Sequence, residues 1–343
     1  MELTTVPDTP PHVPVLLDRI VGLLADAPDG PVVDATLGAG GHAHAVAAAR
    51  RDRYGHATLV GLDRDPDALE LARDRLAELG DTVTVHLVRT RFDGLRATLD
   101  ELGIDRVSGV LFDLGISSMH VDRAERGFSY RQDGPLDMRM GPDATRTAAE
   151  LVNEADLGEL RHVLRTYGEE PMADRIARAI VDQRPHTTTT ELAEVVRDAI
   201  PAARRRTGGH PATRTFQALR IAVNGELDAL AAVLPDALEA LAPGGVAVSL
   251  SYHSLEDRLV KRAFTDAARG CICPPGLPVC ACGRVPLVTP LVRKPERPDA
   301  AEIAANPRAS AARLRAVRRE PDASPAPTDP TENPTEHPRE DHP

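Results

Sequence analysis

The stretch Val32-Val33-Asp34-Ala35-Thr36-Leu37-Gly38-Ala39-Gly40-Gly41-His42 decides the fold. Val32 to Thr36 reads as a short buried strand, Gly38 to Gly41 as a turn, and residues 42–51 as an Ala-rich helix. Glycines between a strand and a helix let the backbone approach a ligand closely, and the helix N-terminus behind them offers N–H groups to an anion. The next strand, 58–63, ends in Asp63, twenty-two residues after Gly41. An acid there is placed to accept hydrogen bonds from a ribose diol. A dinucleotide fingerprint needs a third glycine, and Ala43 holds that position. Phosphate binding is therefore disfavoured, and an adenosine ligand carrying a carboxylate, such as S-adenosylmethionine, fits as well. The turn alone is a weak signal, because a structural tight turn explains it too.

Outward from this stretch the strand–helix rhythm continues. Helix 66–79 begins at a proline, strand 83–88 follows, then a helix near 94–102 and strand 107–113. Alternation at this spacing means βαβ units and a parallel sheet. Strand four ends in Asp113-Leu114-Gly115-Ile116-Ser117-Ser118, at a carboxyl edge where open α/β sheets bind ligands. The plain reading of Asp113 is a turn former or cap; the functional one is a carboxylate touching cofactor and substrate. From about 121 to 215 helices are expected at 148–153, 157–166, 172–183 and 191–200, with no convincing strand. The rhythm returns with a helix over 217–242, a Pro243-Gly244-Gly245 turn, strand 246–250, helix 255–268 and extended stretches near 285–293 and 311–317. The expected domains are therefore 1–120 and 216–320 of one α/β unit, a helical insertion over 121–215, and a disordered acidic tail over 321–343.

With 343 residues, 42% hydrophobic and 27% charged, the chain is expected to be globular with a real core. No run of about 18 apolar residues suggests a membrane span, and Asp18 and Arg19 stop the best candidate for a signal segment, so a cytoplasmic protein with no membrane partner is expected. Net charge is −11, unevenly spread. From Glu320 onward there are seven acids and one Arg; residues 197–220 and 293–319 each carry a net +5. Two basic islands suit a polyanionic partner, although arginine richness runs throughout the chain. Aromatic residues are too few, at 3% with no Trp, for a base-stacking sheet.

Several motifs together resemble the ribosomal RNA small subunit methyltransferase H family. They are His12-Val-Pro-Val-Leu-Leu17, Asp34-Ala-Thr-Leu-Gly-Ala-Gly-Gly-His42, Asp113-Leu-Gly-Ile-Ser-Ser118, Glu125-Arg-Gly-Phe-Ser129 and Asp133-Gly-Pro-Leu-Asp-Met-Arg-Met140. Further along come Tyr167-Gly-Glu-Glu170, Pro211-Ala-Thr-Arg-Thr-Phe-Gln-Ala-Leu-Arg-Ile221, Ser251-Tyr-His-Ser-Leu-Glu-Asp-Arg258 and Asn306-Pro-Arg308. The resemblance implies a class I, Rossmann-like methyltransferase sheet with an inserted helical domain that recognises RNA. It implies S-adenosylmethionine-dependent methylation of the exocyclic N4 amine of a cytidine in the decoding region of 16S ribosomal RNA, within the small ribosomal subunit. A homodimer stays open. By resemblance the cofactor contacts fall on Gly40, Gly41, His42, Asp63, Phe92 and Asp113, with His120 where the family usually has Gln. Tyr252 stands where the family often has Phe.

Asp113 is the expected catalytic residue, accepting the protons of the attacking amine. The alternatives are a non-enzymatic RNA-binding ribosome-assembly factor and a nicotinamide-dependent oxidoreductase using the same glycine loop. Among other residues, Ser254 is read as the cap of its helix, leaving His253 a lesser claim on substrate. Arg214 and Arg220 are read as phosphate contacts or partners of acids such as Glu226, and Asp137 with Arg139 as an entrance or a mutual pair. Cys271-x-Cys273 and Cys280-x-Cys282 suggest metal more than disulfides in a cytosolic chain. C-x-C spacing is less typical of zinc than C-x-x-C, and no metal ligand is assigned.

Overall fold

The computed structural model describes residues 14–205, 209–274 and 281–321. His12, Arg206, Cys280 and the tail residues 322–343 lie outside the described residues. Seven strands form one sheet: β1 (Val32–Asp34), β2 (Ala57–Asp63), β3 (Val83–Arg89), β4 (Val107–Asp113), β5 (Leu241–Ser251), β6 (Val288–Pro290) and β7 (Arg313–Arg319). Their order is β3-β2-β1-β4-β5-β7-β6. The first five are mutually parallel, and β7 runs antiparallel between β5 and β6. This is the Rossmann-like α/β sheet, closed by an antiparallel edge pair. Every residue of β4 is buried except Asp113, as a central strand covered on both faces requires.

Between β4 and β5 the described elements are helical. Helices Ala148–Glu154, Leu157–Tyr167, Ala173–Asp182, Thr189–Ala199 and Thr213–Asn224 share a core of their own, including Leu151, Leu160, Ile176, Leu192, Val196 and Phe216. Apolar residues at helical spacing on each face meet in that core, and the sheet buries separate sets on its two sides. No helix among the described residues is long and apolar enough to cross a membrane.

The structure departs from the sequence reading in several places. The helix expected over 217–242 is two, Thr213–Asn224 and Glu226–Ala240, because Gly225 adopts a left-handed φ of 60° that ends the first and starts the second. Pro243-Gly244-Gly245 lies within β5, where the pairing register shifts between Val107 and Gly109. Of the extended stretch near 285–293 only Val288–Pro290 pairs. A first helix, Leu17–Ala25, was not anticipated; it packs Ile20, Leu23 and Leu24 inward.

Candidate active site

Strands β1, β2 and β4 are parallel neighbours with Asp34 opposite Gly61 and Leu111. Their carboxyl ends therefore share one edge and present Asp34, Asp63 and Asp113 there. Connections leave β1 toward β2 on one side, whereas β4 lies on its other side, so this edge is the topological switch point of the sheet.

The glycine turn is stitched across that edge. Ala35 N–H donates to Leu111 O (2.9 Å) and Leu37 N–H to Leu62 O (3.0 Å). Gly38 N–H donates to Asp63 Oδ2 (2.8 Å). Gly38 (φ 52°) and Gly40 (φ 76°) hold left-handed conformations, and a Cβ on Gly41 would lie 2.7 Å from Pro14 Cγ. A side chain is thereby disfavoured at Gly38, Gly40 and Gly41. Helix Gly41–Tyr54 starts with no side-chain cap, so its first N–H groups keep their capacity for an anionic group.

His42, in the first turn of that helix, is 5% exposed. Its Nε2 faces Val15 O at 2.9 Å and its Nδ1 faces Asp113 Oδ2 at 3.3 Å. A carbonyl and a carboxylate are both acceptors, so the ring satisfies both only as an imidazolium. Burial opposes that charge, but the Asp113 carboxylate, by hydrogen bond and by attraction, outweighs it and holds His42 above the ordinary histidine range. The other Asp113 oxygen, Oδ1, accepts the Tyr252 hydroxyl at 2.9 Å, and the Asp113 N–H donates to Thr36 Oγ1 at 2.6 Å. Burial and the adjacent Asp113 raise the Tyr252 hydroxyl above the usual tyrosine value. The Asp113 side chain keeps 27% of its surface open, and each oxygen retains a further lone pair. Asp34 lies buried nearby, its Oδ1 accepting Thr36 N–H at 3.1 Å. Burial pushes its carboxyl up to about 7, against the pull of His42.

On the other side of the turn, Asp63 accepts Gly38 N–H and, through Oδ1, Asp65 N–H at 2.8 Å. Burial raises its carboxyl above the ordinary range although both donors favour the charge. Asp65 caps helix Pro66–Ala77 by accepting Asp67 N–H (3.1 Å). Its Oδ2 meets His120 Nε2 and Arg126 Nη2, each at 2.9 Å. Burial works against the Asp65 charge, but His120, Arg126 and the capped amide prevail and hold it below the usual carboxylate range. His120 stacks on Phe128 with ring centroids 4.9 Å apart. Its buried Nδ1 has no hydrogen-bond partner among the described residues. Phe92, just after β3, packs edge-on against Phe112 of β4.

Gly40, Gly41, His42, Asp63 and Asp113 are thus drawn to one edge, with Phe92 and His120 flanking it. The set fits an adenosine carrying an amino-acid group. It offers an uncapped helix start for a carboxylate, Asp63 for hydroxyls, aromatic surface at Phe92, and an orphaned ring nitrogen on His120. Asp34, Asp65, Arg126 and the Tyr252 hydroxyl were missed. An acid ending the first strand of a parallel sheet was the available signal for Asp34; the Asp65–Arg126 pair, 61 residues apart, had none.

Other readings resolve plainly. Arg220 forms a two-pronged pair with Glu226 (both 2.8 Å), Arg214 donates to Glu169 O (2.8 Å), and Arg139 pairs with Asp137 (2.9 and 2.7 Å). The cap of helix Ser254–Ala267 is His253, not Ser254: its ring accepts Glu256 N–H, and Glu256 accepts His253 N–H in return. Ser254 instead donates to Glu169. The basic islands are partly consumed internally. Arg205 donates to Ile200 O, Arg308 pairs with Asp122, and Arg313 and Arg315 pair with Asp257.

A family model described as the MraW methylase family matches residues 9–320. A curated relative from Mycolicibacterium smegmatis, named "Ribosomal RNA small subunit methyltransferase H", is 55% identical over 319 residues, covering 90% of this chain and 84% of that protein. One of the same name from Heliobacterium modesticaldum is 52% identical over 312 residues, covering 90% of this chain and 98% of its own. Among solved structures, an rRNA methylase from Streptococcus thermophilus overlaps with a TM-score of 0.38 at 13% identity, over 90% of this chain and 99% of that one.

Proposed function

Because the chain belongs to the MraW methylase family, we infer that it is an S-adenosylmethionine-dependent methyltransferase acting on the N4 amine of a cytidine in 16S ribosomal RNA, within the small ribosomal subunit. The observation that carries the chemical part is Asp113, fixed between His42 and Tyr252 at the switch-point edge while part of its carboxylate stays open.

When bound, S-adenosylmethionine supplies an activated sulfonium methyl group, so the chain's task is alignment and proton handling. Gly40, Gly41 and the first amides of helix Gly41–Tyr54 hold the amino-acid end, Asp63 the ribose, and Phe92 and His120 the flanks. Asp113 accepts hydrogen bonds from the exocyclic amine. This withdraws the nitrogen lone pair from the pyrimidine ring and receives the proton lost after transfer. His42 and Tyr252 act through Asp113 by fixing both its oxygens.

The helical unit over 121–215 is assigned to RNA recognition; its Glu169 accepts hydrogen bonds from Ser254 and Arg258, and Ser254 lies two residues after Tyr252, whose hydroxyl meets Asp113. The oxidoreductase and non-enzymatic readings are not favoured, because relatives matching nearly the whole chain carry a methyltransferase name. The test is transfer of label from methyl-labelled S-adenosylmethionine to purified small subunits. Incorporation into small-subunit RNA is expected; cofactor binding with no transfer to RNA in any assembly state would refute the reading.

A further inference from the structure

The cysteines lie far from the edge just described. Helix Ser254–Ala267 leaves the carboxyl end of β5 and runs back over 14 residues, about 20 Å. The loop after it rejoins the sheet at Val288, which pairs with Arg319, while Arg318 pairs with Val246, the β5 residue of the β5–β7 ladder nearest the start of that strand. Cys271, Cys273 and Cys282 therefore sit at the amino edge of the parallel strands.

Their sulfurs converge. All three Sγ atoms lie within 4.8 Å of one another, and those of Cys271 and Cys282 are 3.8 Å apart. Zinc–thiolate bonds of about 2.3 Å in a tetrahedron place sulfurs about 3.8 Å apart, whereas a disulfide needs about 2.05 Å. A second, independent feature is the backbone around them. Among the described residues each sulfur meets an amide: Cys273 N–H donates to Cys271 Sγ (3.4 Å), Ile272 N–H to Cys282 Sγ (3.5 Å) and Ala281 N–H to Cys273 Sγ (3.3 Å). Two of these bonds cross between the arms of the loop. Gly283, directly after Cys282, takes a left-handed φ of 58°, which turns the second arm back on the first. A neutral thiol is a weak acceptor, so three converging sulfurs, each met by an N–H, form a cradle for thiolates. Converging thiolates repel unless a cation joins them, and amides donating to ligand sulfur are the usual outer support of such a site.

We propose that Cys271, Cys273 and Cys282 bind one Zn²⁺ at the amino edge of the sheet, where it staples the two arms of the loop joining helix Ser254–Ala267 to β6. Cys280 lies outside the described residues, and the assignment does not use it. The site is structural: its ligands are remote from Asp113, and it takes no part in methyl transfer.

The test uses the full-length protein purified without chelator under reducing conditions. Roughly one zinc per chain is expected by elemental analysis. Cobalt titrated into the metal-stripped protein should give the intense near-ultraviolet charge-transfer band of thiolate ligands. In a Cys271→Ser/Cys282→Ser variant both signals should fall to background while S-adenosylmethionine affinity stays unchanged. Absence of zinc together with absence of the cobalt band in reduced wild-type protein would overturn the proposal, and that result needs no variant to fold. Zinc retained at full content in the double variant would also overturn it. So would thiol titration showing these cysteines paired in disulfides in protein that has never been reduced.

Discussion

Two histidines meet aspartates on opposite sides of the glycine turn, and they are not equivalent. His42 has an acceptor at each ring nitrogen, Val15 O and Asp113 Oδ2. His120 spends Nε2 on Asp65 and has no partner for Nδ1 among the described residues. The saturated imidazole is a charged strut beneath Asp113; the unsaturated one keeps a hydrogen bond in reserve for a ligand. The difference teaches where each half of the reaction is prepared. The His42 side governs the reacting carboxylate, and the His120 side governs what is held against it.

The largest expected effect comes from removing the carboxylate itself. Asp113→Ala should lower the rate of methyl transfer by roughly 10²–10⁴-fold, the usual weight of a positioned proton acceptor. S-adenosylmethionine binding should survive far better, as single-turnover kinetics beside calorimetry would reveal. A rate within a few-fold of wild type would remove Asp113 from the chemistry.

On the binding side, Asp63→Ala should weaken S-adenosylmethionine by roughly 2–4 kcal/mol, since a hydrogen bond to a charged group is worth about 1.5–3. Part of that loss arises because Gly38 N–H also loses its acceptor. Unchanged calorimetric affinity in a folded variant would sink the ribose assignment.

The comparison is tested most sharply by crossing the two histidines. His42→Ala should reduce the rate more than the cofactor affinity, and His120→Ala should do the reverse, by about 1–3 kcal/mol for an unpaired buried group. His120→Gln should recover most of the affinity, because an amide also reaches with a donor and an acceptor. If both alanine variants shift rate and affinity equally, the division between the two sides is wrong.

The remaining expected effects are in stability against pH. Asp34 ionises near pH 4 in the unfolded chain and at about 7 when folded. The unfolded state therefore loses this proton first, and stability falls as pH rises between those values. His42 acts in the next window. Its folded value lies above 6.5, so its contribution is complete below 6.5 and is lost as pH rises through the folded value. Urea melts across this range should show that Asp34→Asn removes the lower slope and keeps an upper one, moved down because Asp34 also helps to hold His42 charged. A lower slope that persists in the variant would assign it to another group.

Much of this was legible in the sequence, for physical reasons. The turn 38–41 announced itself through glycines that only a left-handed backbone needs, and strands β1, β2 and β4 through short β-branched runs ending in acids. The helical break was visible as the point where the strand–helix rhythm stops. What was not legible depends on contacts across long separations. That His42 reaches Asp113 follows from sheet order. That Tyr252 reaches Asp113 depends on β5 lying beside β4, 139 residues away in sequence. The division of helix 217–242 at Gly225 was misread because its apolar period runs on through the break. His253 rather than Ser254 caps its helix because the imidazole is held over Glu256, a geometry that composition does not reveal.

Identification of the methylated atom tests the central claim most directly. Methylation at ring carbon 5 would require a cysteine to add covalently at carbon 6. The turn Leu114-Gly115-Ile116-Ser117-Ser118 after Asp113 has no thiol, and Cys271, Cys273 and Cys282 lie at the opposite edge of the sheet. Small subunits treated with this protein and S-adenosylmethionine should therefore yield N4-methylcytidine on nucleoside mass analysis, with wild-type protein and with all four cysteines changed to Ser alike. 5-Methylcytidine in that digest, or a covalent adduct trapped with 5-fluorocytidine RNA, would contradict the account.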